Sequence, residues 1–280
     1  MAPDRFDAEY GSIPDPPTTG WSTVDDAIAD AGAVGFVGVG GRFDAEHRYL
    51  TRFEGPEREY AVVRAAGTSV LCAPGGYVTR AERQFDGVVA AERVGGPAGE
   101  RTAAVLDDRG GDPTTSAATV IVPPTIPHDA AVYLERAGYD LRSTTAVAAT
   151  RATKSAAEIG AIRAVHRAAT AATGRIERLL AAADVDDGGV LTDDGRPLTA
   201  ARLRRAANAE LARCGVTDAG NTLVVGGRGD RGTPGVGGMA PVCDARIRAD
   251  DPVVVAVAPR GPHGYHGPLA RTFVVDSDGG

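Results

Sequence analysis

One boundary constrains this chain more than any other feature. Before about residue 150, short apolar runs bounded by Gly and Pro alternate with short amphipathic stretches; from Ser155 onward a long three-and-four apolar repeat takes over. Ser155-Ala-Ala-Glu158 has capping-box spacing. In that motif the Ser side chain satisfies an orphan amide and the Glu reaches back to the amide of the capping residue. Ile159, Ile162, Ala169, Ile176 and Leu180 then recur at three- to four-residue intervals, with Leu179 beside the last. This periodicity predicts one helix running to about Ala183. A helix start of that strength in mid-chain implies two parts, and 280 residues agree with two domains, 1–150 and 151–280.

In the first part, residues 1–20 are polar and Pro-rich and read as a loose arm. Ser22 is placed to cap a short helix through Gly32. Val34–Val39 predicts a buried strand, and Tyr60–Ala65 and Ser69–Ala73 a strand pair turning around Gly67. Thr79–Phe85 predicts a helix, Ala103–Leu106 and Ala118–Val122 predict strands, and His128–Ala137 a helix closed by Gly138. Mixed order of this kind predicts a small α/β domain. In the second part, Asp184 to Pro197 reads as a polar loop. Thr199 starts a helix through Arg213, with Leu203 and Leu211 inward and Gly215 as its stop. Asn221–Val225, Pro252–Ala258 and Thr272–Val275 predict strands.

Charge narrows the partners. The formal net charge is −7, which argues against a nucleic-acid or anionic-membrane binder, since either would want a basic face. Lys154 is the lone Lys among 30 basic residues. That bias, with its surplus of Asp over Glu, fits a salt-adapted, haloarchaeal-type composition and fits codon bias equally. The longest apolar run, Pro252 to Pro259, falls far short of the ~20 residues a bilayer requires. The charged start MAPDRFDAEYGS has no apolar core, so the expectation is a cytoplasmic protein without a secretory signal. Cys72, Cys214 and Cys243 are odd in number and far apart, which excludes a disulfide framework or a zinc ribbon.

Candidate sites are few. Gly226–Gly238 contains Gly227-x-Gly229-x-x-Gly232 after a strand, yet Thr233-Pro234-Gly235 follows, where a dinucleotide site needs a helix to open. It reads as a loop that lines a cleft or stays mobile. His47 and His166 lie among surface-type residues and read as solvated, and His128 sits near a helix start. His263 and His266 flank Tyr265 in the tight loop Pro262-His-Gly-Tyr-His-Gly267 between two apolar strands. Imidazoles three apart can serve acid–base work or bind a metal, but that loop holds no carboxylate to orient them.

Read in order, several of these segments resemble the pita-bread family of Xaa-Pro aminopeptidase, prolidase, methionine aminopeptidase and creatinase. Arg151-x-x-Lys154-Ser-x-x-Glu158-Ile159-x-x-Ile162-Arg163 resembles its domain junction. The strand PVVVAV, the loop Gly264-Tyr265-His266-Gly267 and Arg271-Thr-Phe273 resemble its metal-strand hairpin. DAEHRYLTRF at 44–53, followed by YAVVRAAG, resembles a creatinase-like N-terminal domain. The resemblance implies such an α/β domain over 1–150, followed over 151–280 by the first half of a pita-bread α/β domain. It also implies a hydrolase of proline-containing peptides that holds two divalent cations such as Mn, Co or Zn with two Asp, one His and two Glu.

The ligand positions depart from that pattern. The first Asp falls at Ala256 or Val257, the second at Pro268 and the His near Gly235, and the two Glu belong to a later half that would follow Gly280. Carboxylates are needed there because they bridge two hard cations and offset their charge. The expectation is therefore a homologue of Xaa-Pro aminopeptidases and prolidases that holds no cofactor and has no metal-dependent activity, a pseudoenzyme. Three alternatives stand beside it: an active Xaa-Pro peptidase, a metal-free creatinase-like hydrolase using His263, His266 and Tyr265, and a non-catalytic peptide-binding or heterodimer subunit. Half of a curved sheet leaves an apolar face uncovered, which predicts a homo- or hetero-oligomer.

Overall fold

The computed structural model describes residues 19–92, 96–109, 118–226 and 246–277. The chain divides into two compact units at Ser155/Ala156.

The unit 16–155 is built on one mixed sheet. Its strands are β1 (Gly35–Gly40), β2 (Tyr60–Ala65), β3 (Thr68–Pro74), β4 (Val88–Glu92), β5 (Thr119–Val122) and β6 (Asp140–Ser143), in the order β4-β3-β2-β1-β5-β6. β1, β2 and β3 pair antiparallel; β4 on β3, and β5 and β6 beyond β1, are parallel. The helices are α1 (Ser22–Ala31), α2 (Ala45–Thr51), α3 (Val78–Gln84), α4 (Ala98–Asp108), α5 (His128–Arg136) and α6 (Ala146–Ala152). The central strands read as unbroken apolar runs because both faces are covered. Phe36, Val62 and Leu71 enter one core with Leu50, Phe53 and Tyr60. The alternate residues Val37, Ala61, Val63 and Cys72 enter the other with Leu106, Val120 and Leu134.

The structure corrects three expectations in this unit. Ala103–Leu106 is not a strand but the middle of α4. A four-residue apolar run carries no period of its own, and the buried set Ala98, Gly99, Thr102, Ala103 and Leu106 has helical spacing. Ser22 is not a cap but the first helical residue of α1; Trp21 stands at the cap position, without a side-chain hydrogen bond. His47 is not solvated: it is 3% exposed.

The β2–β3 turn yields a direct prediction. Ala66 and Gly67 connect Ala65 to Thr68 with φ of 46° and 72°. This is a two-residue turn that requires left-handed backbone at both positions, where Asn-Gly is preferred. A β-carbon is disfavoured there by about 1 kcal/mol, and Asn is among the residues that tolerate it. Ala66→Asn is expected to raise stability by up to about 1 kcal/mol, read as a higher urea midpoint with unchanged slope.

The unit 156–280 starts with α7 (Ala156–Ala181), immediately after Ser155. The segment 184–197 is not a plain loop: β7 (Asp184–Val185), β8 (Leu191–Asp193) and β9 (Arg196–Pro197) form a small antiparallel sheet. Asp194 and Gly195, with φ of 50° and 69°, make the same kind of tight turn between Asp193 and Arg196. The Asp-Gly pair is its sequence signal. α8 (Ala200–Arg213) is capped by the Thr199 hydroxyl, which accepts from the Arg202 amide at 3.2 Å. Strands β10 (Leu223–Val225), β11 (Val253–Val257) and β12 (Leu269–Phe273) form an antiparallel ladder. β12 therefore lies earlier than the expected 272–275. α7 supplies Ala169, Ala172, Ile176 and Leu180, and α8 supplies Leu203, Ala207 and Leu211, to one core with Val253, Val255 and Val257.

Candidate functional site

The β11–β12 hairpin is built from an alternation. Val253, Val255 and Val257 are buried against α7 and α8, whereas Val254 and Ala256 are half-exposed on the other face. Directly opposed residues of an antiparallel pair share a face. The register pairs Ala256 with Ala270 and Val254 with Thr272, and β10 sets Leu223 beside Ala256 and Val225 beside Val254. The half-open face is thus Leu223, Val225, Val254, Ala256, Ala270 and Thr272 (one hydroxyl among aliphatic groups). Of the two positions considered for the first Asp, Ala256 lies on this face and Val257 lies in the core. Pro268 is exposed, just before β12.

The loop joining the strands is folded onto α7. Arg260 bridges Thr217 and His266 in antiparallel fashion. The Gly261 amide donates to the Tyr265 carbonyl at 2.8 Å, the Gly264 amide to the Gly261 carbonyl at 3.0 Å and the Gly267 amide to the Pro259 carbonyl at 3.2 Å. Gly264 takes a φ of 83°, a left-handed conformation open to Gly at little cost. A β-carbon on Gly267 would lie 2.8 Å from the His166 amide nitrogen, so this glycine is what lets the hairpin touch the helix backbone.

The Tyr265 hydroxyl donates to Glu158 Oε1 at 2.6 Å. Glu158 is 3% exposed, on the first turn of α7. A buried carboxylate is costly unless hydrogen-bonded, and the phenol provides such a bond. This partnership is not legible in the sequence, where Glu158 reads as a capping residue 107 positions from Tyr265. The carboxylate missing from the histidine loop is supplied by the helix beneath it, and it engages Tyr265. His266 is exposed, with Nδ1 3.3 Å from the Ala258 carbonyl oxygen, and His263 is half-buried. His166 is half-buried on α7, and His128 is the exposed first residue of α5. Of the glycine-rich run, 227–238 lies outside the described residues, and with it Gly235; so does Cys243.

Comparison with solved structures decides the architecture. The prolidase of Pyrococcus horikoshii OT3 superposes with a TM-score of 0.67 at 14% identity, over 91% of this chain and 65% of its own. The Xaa-Pro dipeptidase of Bacillus anthracis gives 0.69 at 16% identity, over 91% and 64%. This chain has the pita-bread peptidase fold. Aminopeptidase P of E. coli, solved with the inhibitor Pro-Leu, gives 0.58 at 18% identity over 93% and 63%. The chain thus spans a little under two thirds of the length of these relatives. No protein-family model and no curated protein matches the sequence.

The fold implies a pair of divalent cations, and the half-open face of this hairpin does not fit one. Hard cations take carboxylate and other oxygen ligands. The positions facing outward from β11 and β12 carry aliphatic groups and the Thr272 hydroxyl. Among the described residues there is no group of three or more His, Cys, Asp or Glu able to hold a metal ion.

Proposed function

We propose that the chain is a homologue of proline-peptide peptidases that binds proline-containing peptides and performs no metal-dependent hydrolysis, alone or as a subunit of a homo- or hetero-oligomer. The observation that carries this reading is the register of Ala256 with Ala270 on the half-open face, with Pro268 at the head of β12. An aliphatic floor can receive a pyrrolidine ring by burial of apolar surface, at about 25 cal/mol per Å² removed from water. It cannot activate water. Incubation of the chain with Ala-Pro or Gly-Pro and added Mn, Co or Zn is expected to give no turnover. Calorimetry with proline peptides is expected to give binding. Turnover that needs the metal and disappears with a chelator would overturn the reading.

A second reading is favoured by the loop itself: metal-free acid–base chemistry on His263, His266 and Tyr265. A ring whose Nδ1–H is taken by a backbone carbonyl presents Nε2 as a base. The contact of His266 with the Ala258 carbonyl has that sense. Its mark would be metal-independent hydrolysis lost in His266→Ala.

A further inference from the structure

A buried titratable group lies in the unit 16–155. His47 alone of the five histidines is buried. It sits on α2, which packs on β1, β2 and α6. Its ring meets that of Tyr60 edge-on, with centroids 4.6 Å apart and planes at 64°. Its Cβ lies so close to β1 that a β-carbon on Gly40 would come within 3.0 Å of it. Neither ring nitrogen has a hydrogen-bond partner among the described residues. The imidazole is packed as a neutral aromatic, and burial pushes its pKa from 6.5 down to about 3.

No charged group hydrogen-bonds to the ring among the described residues. On α2 itself, the Asp44 carboxylate is engaged by the His47 amide at 2.7 Å. Arg48 pairs with Glu54 at 2.7 Å, and Arg52 lies over the Tyr49 ring at 4.4 Å. From α6, Arg151 acts on Glu46, whose pKa is raised chiefly by burial. From β2 comes the Tyr60 phenol, near Arg42 and Arg48. β1 (GFVGVG) contributes no charge.

We propose that His47 is an acid-sensitive latch: its protonation releases α2 from the sheet and opens the 16–155 unit locally while 156–280 stays folded. The sign follows from linkage. The closed form excludes the proton and the open form binds it with the ordinary affinity of a solvated imidazole. The stabilisation is therefore complete above 6.5 and is lost as pH falls below it towards about 3. Each pH unit in that window multiplies the open-to-closed ratio by up to about tenfold. The histidines of the unit 156–280, His166, His263 and His266, are half-buried or exposed.

Hydrogen–deuterium exchange of the full chain tests this, corrected for the intrinsic pH dependence of exchange. From about pH 6.5 to about pH 5.5, peptides covering 45–53 are expected to show a roughly fivefold rise in opening, and peptides covering 156–181 none. In His47→Phe the rise in 45–53 is expected to vanish. An unchanged 45–53, or the same rise in His47→Phe, would overturn the proposal. Should that variant not fold, NMR titration of the wild-type ring decides: a His47 resonance that stays neutral to about pH 5 in the closed form supports the latch, and ordinary titration with the fold intact refutes it.

Discussion

Gly267→Val is expected to destabilise the 156–280 unit by about 3–5 kcal/mol, because it forces a side chain into helix backbone. A β-carbon there would stand 2.8 Å from the His166 nitrogen, 2.9 Å from the Val165 carbonyl carbon and 3.1 Å from Val165 Cγ1. The first two atoms belong to the middle of α7 and cannot yield without breaking its hydrogen-bond ladder. The loop must lift instead. Lifting also pulls Gly261 from Val165 and the Tyr265 hydroxyl from the buried Glu158 carboxylate. Overpacking costs about 1–3 kcal/mol, and a lost hydrogen bond to a buried charge a further 1.5–3 or so. Gly160→Ala on the same helix, with open space around it, is the control: it is expected to stabilise by up to about 1 kcal/mol. Urea unfolding followed by far-UV circular dichroism reads both, and equal midpoints for the two variants would refute the packing argument.

The second large effect is expected at Arg64, which ties α1 to the β2–β3 turn. Its Nε and Nη2 donate to the two Asp25 carboxylate oxygens at 2.8 and 2.7 Å, and Nη1 donates to the Gly67 carbonyl at 2.7 Å and Ser69 Oγ at 3.1 Å. The guanidinium also lies 5.5 Å from the Trp21 ring centre. The fork geometry matches a carboxylate bidentately, and the Arg64 side chain is only 15% exposed against 41% for Asp25. Arg64→Ala is expected to cost the 16–155 unit about 2–3 kcal/mol, and Arg64→Lys to recover only part of it. By contrast Asp140 and Arg142 stand 3.7 Å apart with both side chains more than half exposed, so Asp140→Ala is expected to change stability by less than about 1 kcal/mol. A double-mutant cycle with Asp25→Ala measures the coupling; a cycle energy near zero would contradict the assignment.

The elements legible in the sequence are those with an end signal. Gly32, Gly138 and Gly215 close helices with φ of 59°, 94° and 68°, and Thr199 caps α8, so these helices fall where the sequence puts them. Ala103–Leu106 misleads because four apolar residues fit either period, and the contact that decides for helix, Gly99 on Ala130, lies elsewhere in the chain. His47 misleads because its immediate neighbours are polar; its burial comes from β1 and Tyr60, which the chain brings from outside α2. At the candidate site, the hairpin, its glycines and the aliphatic residues expected at the ligand positions are visible as letters. The choice between Ala256 and Val257 is not, because only the register shows which of them faces outward. The Tyr265–Glu158 bond is likewise hidden, since the capping-box spacing already explains Glu158.

The half-open face of β11 and β12 offers aliphatic carbon where a cation pair would need oxygen. Diffraction from crystals grown with manganese or cobalt, with anomalous maps calculated at the metal edge, tests it most directly. No anomalous peak is expected beside Ala256, Ala270 and Pro268; two peaks a few ångströms apart over that face would show that it holds the cations after all.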